Sequence, residues 1–190
     1  MDKPVEISGI RNITISGRIA SGATTLASHL AYHLRWELLD GGKLFRAFTH
    51  DHGYADSRSD QFDLDYEEKI KKILREEKQH IIQSHLAGFD AQGIEGVLKI
   101  LVVCDDIEGE DKADIRIDRL ANRDAFPVEQ AKQEVFERDV QNLKKWRRLY
   151  AKDNPDWVYW DKKYYDLVVN TFTHNQEESM KLVMEKLGIQ

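Results

Sequence analysis

GRIASGAT, residues 17–24, follows the apolar pentapeptide NITIS (12–16) and opens a helical pattern. Gly17, Gly22 and Thr24 have the spacing of a phosphate-binding loop, G-x-x-x-x-G-K-[ST], but Ala23 stands where that pattern has lysine. Strand, glycine-rich turn and helix in that order make an anion site from backbone N–H groups and a helix N-terminus, with no side-chain charge required. The expected nucleotide segment is therefore Gly17, Arg18, Ile19, Ala20, Ser21, Gly22, Ala23, Thr24 and Thr25, with the Thr24 hydroxyl toward Mg²⁺. Both glycines, the threonine and the flanking elements fit together, which favours a nucleotide site over a tight turn alone.

On either side of the loop, short apolar runs alternate with helical patterns. Residues 12–16, 36–40, 80–84, 99–103 and 165–170 read as strands. Residues 23–36 read as a helix with Leu26, Leu30 and Leu34 on one face, and KLFRAFTHDHG as a short helix stopped at Gly53. YADSRSDQFDLD (54–65) reads as a loop, followed by a helix over 66–78 with Ile70, Ile73 and Leu74 inward. Residues 111–124 and 127–150 are highly charged helices, the second entered at Pro127 in its first turn. The last helix starts at Asn175, capped by that side chain while Glu178 reaches back. Strands alternating with helices predict an α/β fold with a five-stranded parallel sheet covered on both faces, whose ligands bind beyond the carboxyl ends of the strands.

The chain has 190 residues, enough for one well-buried core and short for two ordinary domains. Hydrophobic residues make up 41% and charged ones 33%, the balance of a soluble globular protein. A net charge of −6 argues against non-specific nucleic-acid binding. No apolar run approaches the ~20 residues of a membrane span, and residues 1–12 lack the apolar core of a signal peptide. Cys104 has no partner cysteine and lies in an apolar run, so it reads as a core residue of a cytoplasmic protein. His29 and His33 have i, i+4 spacing but no third ligand, and read as surface residues. The aromatic stretch NPDWVYWDKKYY (154–165) reads as packing against the core or as a dimer contact.

ITISGRIASGATTLASHLAYHLRWELLDGGKLFRAF resembles the start of a cytidylate kinase, a P-loop nucleoside monophosphate kinase. LLDGGKLFR, HIIQSHLAGF, RIDRLANRD…VFERD and YYDLVVNT resemble that family's acceptor segment, its V-I-E-G-R-L-A-G stretch, its arginine-rich lid and its last strand. The resemblance covers nearly the whole chain. It implies a P-loop NTPase fold with a core (12–40, 80–123, 163–190), a helical acceptor-binding insertion (about 41–79) and a mobile helical lid (about 124–162). It implies phosphate transfer from ATP to CMP or dCMP with Mg²⁺, by a monomer or homodimer that engages neither nucleic acid nor membrane. Asp40, Gly41, Gly42, Arg46, His85 and Gly88 fall on the acceptor side, and Arg119 and Arg123 on the ATP side.

Phosphoryl transfer needs positioning and positive charge more than covalent help, and arginine grips phosphate oxygens bidentately. Arg46 is the expected acceptor-phosphate ligand and Arg138 the expected lid cation. Arg116, Arg119 and Arg123 recur at helical spacing beside Asp114 and Asp118, mostly as a salt-laced solvent face. The sequence departs from the family at three places: Ala23 for lysine, His85 for arginine, and Gly41 for the serine or threonine at the acceptor base. Arg18 is the expected substitute for the lysine, and a protonated His85 would add charge at the acceptor phosphate. A non-catalytic nucleotide-binding switch with a degenerate loop, or a kinase of another small acceptor, are the alternatives.

Overall fold

The computed structural model describes residues 3–43 and 59–189. Its strands β1 (Asn12–Gly17), β2 (Glu37–Asp40), β3 (His80–Gln83), β4 (Val97–Val103) and β5 (Leu167–Asn170) form one five-stranded sheet in the order β2-β3-β1-β4-β5. Every neighbouring pair is parallel, as the alternation of strands and helices predicted. β1 is central and buried along its whole length, so the loop that follows it emerges from the middle of the sheet's carboxyl edge.

Side chains alternate between the two faces of the sheet. Ile13, Ile15, Ile81, Leu98, Ile100 and Val102 point to the face covered by α1 (Ala23–Leu34) and the C-terminal α6 (Gln176–Leu187). Ile82 and Val97 point to the other, where α2 (Asp60–Glu76) and the short α3 (Ala87–Asp90) pack Ile70, Leu74, Ala87 and Ala91. Buried Asn12 stitches this second face together. Its amide donates to the carbonyls of Leu74 (3.2 Å) and Glu77 (2.9 Å), and its oxygen accepts from His80 N (3.0 Å).

Helices α4 (Ala113–Asp124) and α5 (Val128–Tyr150) then lie against the loop itself. Ile19 is buried among Ile117, Leu120, Ala131 and Val135. Leu86, Trp146, Trp157 and Tyr159 form a further cluster, so the aromatic stretch near residue 160 packs inward.

The last helix carries the expected capping box, Asn175 with Glu178, and Cys104 is buried, which pushes its thiol pKa up. Other boundaries differ from expectation. β4 starts at Val97, ahead of 99, and Pro127 is the extended residue before α5 rather than part of its first turn. Residues 60–65 of the stretch expected as a loop are helix, because Ser59 accepts a hydrogen bond from Phe62 N and caps α2 from Asp60 onward. Asp60 and Asp63 then sit in its first turn, where the helix dipole favours them. The helix expected over 43–53 lies outside the described residues beyond Lys43. Among the described residues no helix is long and apolar enough to cross a membrane.

Candidate nucleotide and acceptor site

The loop turns on two left-handed residues, Ala20 (φ 58°) and Gly22 (φ 103°). At Gly22 a side chain would be strained by that φ and would crowd Thr171 Cγ2 at 3.1 Å. At Gly17 the obstacle is space, since a Cβ would stand 2.8 Å from the Val102 carbonyl. Ser21 N donates to Arg18 O at 3.1 Å and closes the turn. Gly22 then begins α1, and the first N–H groups of a helix have no partner within it. Among the described residues the amides of Gly22, Ala23, Thr24 and Thr25 have no protein acceptor. They are the donors a phosphate would meet.

Arg119 braces this arrangement from behind. Its guanidinium donates to Thr171 Oγ1 and Thr171 O, both at 2.8 Å, and Thr171 Oγ1 donates to Ser21 O at 2.6 Å. On the open side, Thr24 Oγ1 donates to Gln83 Oε1 at 3.4 Å. Thr24, Gln83 and Asp40 border one cavity of about 1720 Å³, an oxygen-rich set that suits Mg²⁺, which keeps several water and phosphate ligands. Among the described residues no cluster of three or more His, Cys, Asp or Glu side chains could enclose a metal by itself.

The same cavity is bordered by all of residues 17–25, by Asp40, Gly41 and Gly42, and by His85, Arg119, Arg123 and Arg138. The structure thus gathers most of the expected site around one space. Asp40 accepts from Lys43 N at 3.0 Å and caps the turn after β2. Arg123 is held by Asp124 at 2.7 Å, and Arg138 by an exposed pair with Glu134 at 3.2 Å. Arg46 lies outside the described residues.

Four residues sit otherwise than expected. Arg18, expected to replace the lysine, is committed elsewhere: Nε and Nη2 hold Asp139 Oδ2 (3.1 and 2.8 Å) and Nη1 holds Asp111 Oδ2 (3.0 Å). Its guanidinium also stacks 4.6 Å from the Trp160 ring. Arg116, expected on a solvent face, is completely buried. It grips Asp111 with Nε and Nη2 (2.9 and 2.8 Å), approaches Asp139 at 3.4 Å and donates to Ile19 O at 2.8 Å. The two arginines and two aspartates form a charge-neutral quartet, the condition under which buried charge is tolerated.

His85, expected to carry charge to an acceptor phosphate, borders the cavity half-buried and is flanked by Trp146 and Tyr159, with ring centroids at 5.8 and 5.6 Å. Its Nδ1 lies 2.8 Å from Gly17 O. A carbonyl only accepts, so Nδ1 carries a hydrogen. Burial holds the pKa below the usual histidine value, with the Gly17 contact opposing it. Gly88, expected at the acceptor, packs against the Tyr165 ring, where a Cβ would come within 2.8 Å of Cδ1, and donates its N–H to Ser16 Oγ at 2.9 Å. Replacing His85 by alanine is expected to cost about 1–3 kcal/mol of stability for the lost contact and the space left behind. Because burial disfavours the charged ring, the slope of acceptor affinity against pH from about 6 to 8 should change little between His85→Ala and the unchanged protein. Calorimetric titrations showing a slope that flattens only in the variant would return His85 to the acceptor.

Sequence reasoning missed Tyr66, Glu67 and Asp90, which border the cavity beside Gly41. Glu67 and Asp90 are only 4% and 5% exposed. A signal existed: Glu67 shares the inward face of α2 with Ile70 and Leu74, at i, i+3 and i+7. Burial first, and then the Asp90 charge, push the Glu67 carboxyl well above the carboxylate range. Burial raises Asp90 too, with Lys71 opposing.

No protein-family model matches the chain. A cytidylate kinase of Haloarcula marismortui is 34% identical over 166 residues, covering 84% of this chain and 80% of the relative. A cytidylate kinase of Methanopyrus kandleri is 28% identical over 187 residues, covering 90% of each. Among solved structures, the shikimate kinase of Acinetobacter baumannii in complex with shikimate aligns with a TM-score of 0.53 at 14% identity, over 94% of both chains. That last likeness is one of fold.

Proposed function

This chain belongs to the cytidylate kinase family, and from that premise we propose that it transfers the γ-phosphoryl group of ATP to CMP or dCMP, giving ADP and CDP or dCDP. The observation that carries this reading is the continuity of a single cavity. At one end it has the unpartnered amides of Gly22 to Thr25, and at the other the polar end of β2 and the carboxyl-lined wall of α2. One space thus suits a donor phosphate and an acceptor together, which is the geometry an in-line transfer requires.

Within this reading the loop amides and the α1 N-terminus hold the donor phosphates. Thr24, with Asp40 acting through water, would hold Mg²⁺, which when bound neutralises charge on the phosphate oxygens. Arg138 supplies the positive charge missing at position 23. Its partner Glu134 is a surface one, worth about 0–1 kcal/mol, so the guanidinium can turn to a phosphate at little cost. Arg119 and Arg123 line the ATP side, and Arg46 would meet the acceptor phosphate. Residues 41–79 serve as the acceptor-binding insertion and 124–162 as the segment that covers the donor, in a cytoplasmic enzyme acting as monomer or homodimer.

A coupled assay for ADP formation, run with MgATP against CMP, UMP, AMP and GMP, tests the proposal. Turnover greatest with CMP supports it. Binding of MgATP with no turnover on any acceptor would instead favour a nucleotide-binding switch, the reading that Ala23 keeps open.

A further inference from the structure

In the cavity wall formed by α2 and α3, polar atoms are buried without a hydrogen bond of good geometry, although Glu67 lies beside the Tyr150 hydroxyl and Asp90 beside Lys71. The Tyr66 hydroxyl, Glu67 Oε2 and Asp90 Oδ1 make no hydrogen bond among the described residues, and all three residues border the cavity. An unsatisfied buried polar group costs free energy, so a set that converges on one space calls for a ligand that completes it. The set adjoins the turn after β2: Gly41 has no side chain, and a Cβ there would stand 2.8 Å from the Tyr66 hydroxyl. The hydroxyl therefore occupies the volume that a larger residue at position 41 would fill.

We propose that Tyr66, Glu67 and Asp90 read the acceptor's base and select one that presents an exocyclic amino group beside a ring-nitrogen acceptor. Cytosine does so and uracil does not. The inference rests on the nucleoside monophosphate reading above and names the residues that decide the base. The surroundings set the sign of the preference. Asp63 is already paired with Lys145 at 2.6 Å, and Lys71 lies 3.9 Å from Asp90 while also reaching Glu68 at 3.5 Å. Against Lys43, Lys71 and Lys145 stand the carboxyls of Asp40, Asp63, Glu67 and Asp90, so the wall offers more acceptor oxygens than positive charges. Carboxyl oxygens accept from both N–H groups of a 4-amino substituent, while a carboxylic or phenolic O–H donates to the ring nitrogen. Uracil turns a carbonyl oxygen toward the same carboxyl oxygens and meets the O–H donor with its own N3–H, so both contacts are mismatched in that arrangement.

Because uracil and cytosine have the same size, their ratio isolates hydrogen bonding from fit. Equilibrium binding of CMP and of UMP, with MgADP present, is measured calorimetrically in the unchanged protein and in Glu67→Gln, Asp90→Asn and Tyr66→Phe. CMP should bind at least ~10-fold tighter than UMP, the discrimination that one or more unpaired buried polar groups imposes. In Glu67→Gln or Asp90→Asn that ratio should fall to ~3-fold or less, chiefly through weaker CMP binding, with MgADP affinity unchanged. Tyr66→Phe removes one oxygen and keeps the ring, and it decides the matter where a carboxyl variant fails to fold. Equal binding of the two acceptors by the unchanged protein, binding of neither, or a ratio that survives in every folded variant overturns the proposal. ADP formation by the same proteins separates the two readings. CMP-selective binding without turnover sinks the kinase reading and leaves the base wall standing, while turnover with an unselective wall does the reverse.

Discussion

Asp139→Ala should lower stability by about 3–5 kcal/mol, the cost of breaking a buried ion pair from one side. Asp139 is 6% exposed and accepts from Arg18 at 2.8 Å, with Arg116, completely buried, 3.4 Å away. Its removal leaves the quartet with two guanidinium charges against the single carboxylate of Asp111. Arg116 cannot turn to water, because its other nitrogens are fixed on Asp111 and Ile19 O. For a chain of this size each kcal/mol moves the melting temperature by roughly 2–4 °C, so a fall of about 6–20 °C is expected. Glu134→Ala, which breaks only the exposed pair with Arg138, should stay within about 0.5 kcal/mol. Arg18→Ala should resemble Asp139→Ala in kind, and the double variant should fall well short of the sum, because the two residues share one interaction. A loss under about 1 kcal/mol in Asp139→Ala would mean that the quartet does not fasten α5 to the loop.

That quartet also marks where the sequence stops being readable. β1 and the turn after it were legible because local chemistry dictates them: an alternating buried strand, glycines where the backbone is tight or left-handed, and a helix beginning at Gly22. Asn175 and Glu178 were legible for the same reason, since a capping box is complete within four consecutive positions. Ser59 hid within a polar stretch that looked like loop, although its cap extends α2 by a turn and a half. Arg18, Asp111, Arg116 and Asp139 are brought together from distant parts of the chain. A charged residue on an amphipathic helix has the same appearance whether it meets solvent or a buried partner. Periodicity therefore placed Arg116 outside, when its long side chain runs inward to the loop carbonyl. Glu67 is the opposite case, since an acid in line with Ile70 and Leu74 was visible as an anomaly on an apolar face.

Arg138→Ala should lower kcat with CMP by ~10²–10³-fold, the loss typical of removing one preorganised donor to a transition-state oxyanion. Affinity for MgATP should change by no more than ~3-fold, because a cation aimed at the transferring group acts mainly in the transition state. Arg138→Lys should lie between the two, since an ammonium restores the charge without the planar fork. Arg18→Ala should show its effect in the melting curve rather than as a selective loss of kcat, given that both of its ends are held by carboxylates. An unchanged kcat in Arg138→Ala, in a protein that still binds MgATP, would remove Arg138 from the chemistry.

On this reading the phosphate-binding loop works without its lysine. Ala23 is 4% exposed and belongs to the core beneath the loop, so the position is occupied by packing as well as lacking a charge. The most direct test is the initial rate of CDP formation from MgATP and CMP by the unchanged protein beside Ala23→Lys, with a melting curve for each. Turnover in the range of about 1–100 s⁻¹ usual for kinases is expected in the unchanged protein. The variant should show less than a ~10-fold gain, or a loss. Silence in the unchanged protein together with turnover restored by Ala23→Lys would contradict this reading and identify a kinase whose loop has decayed.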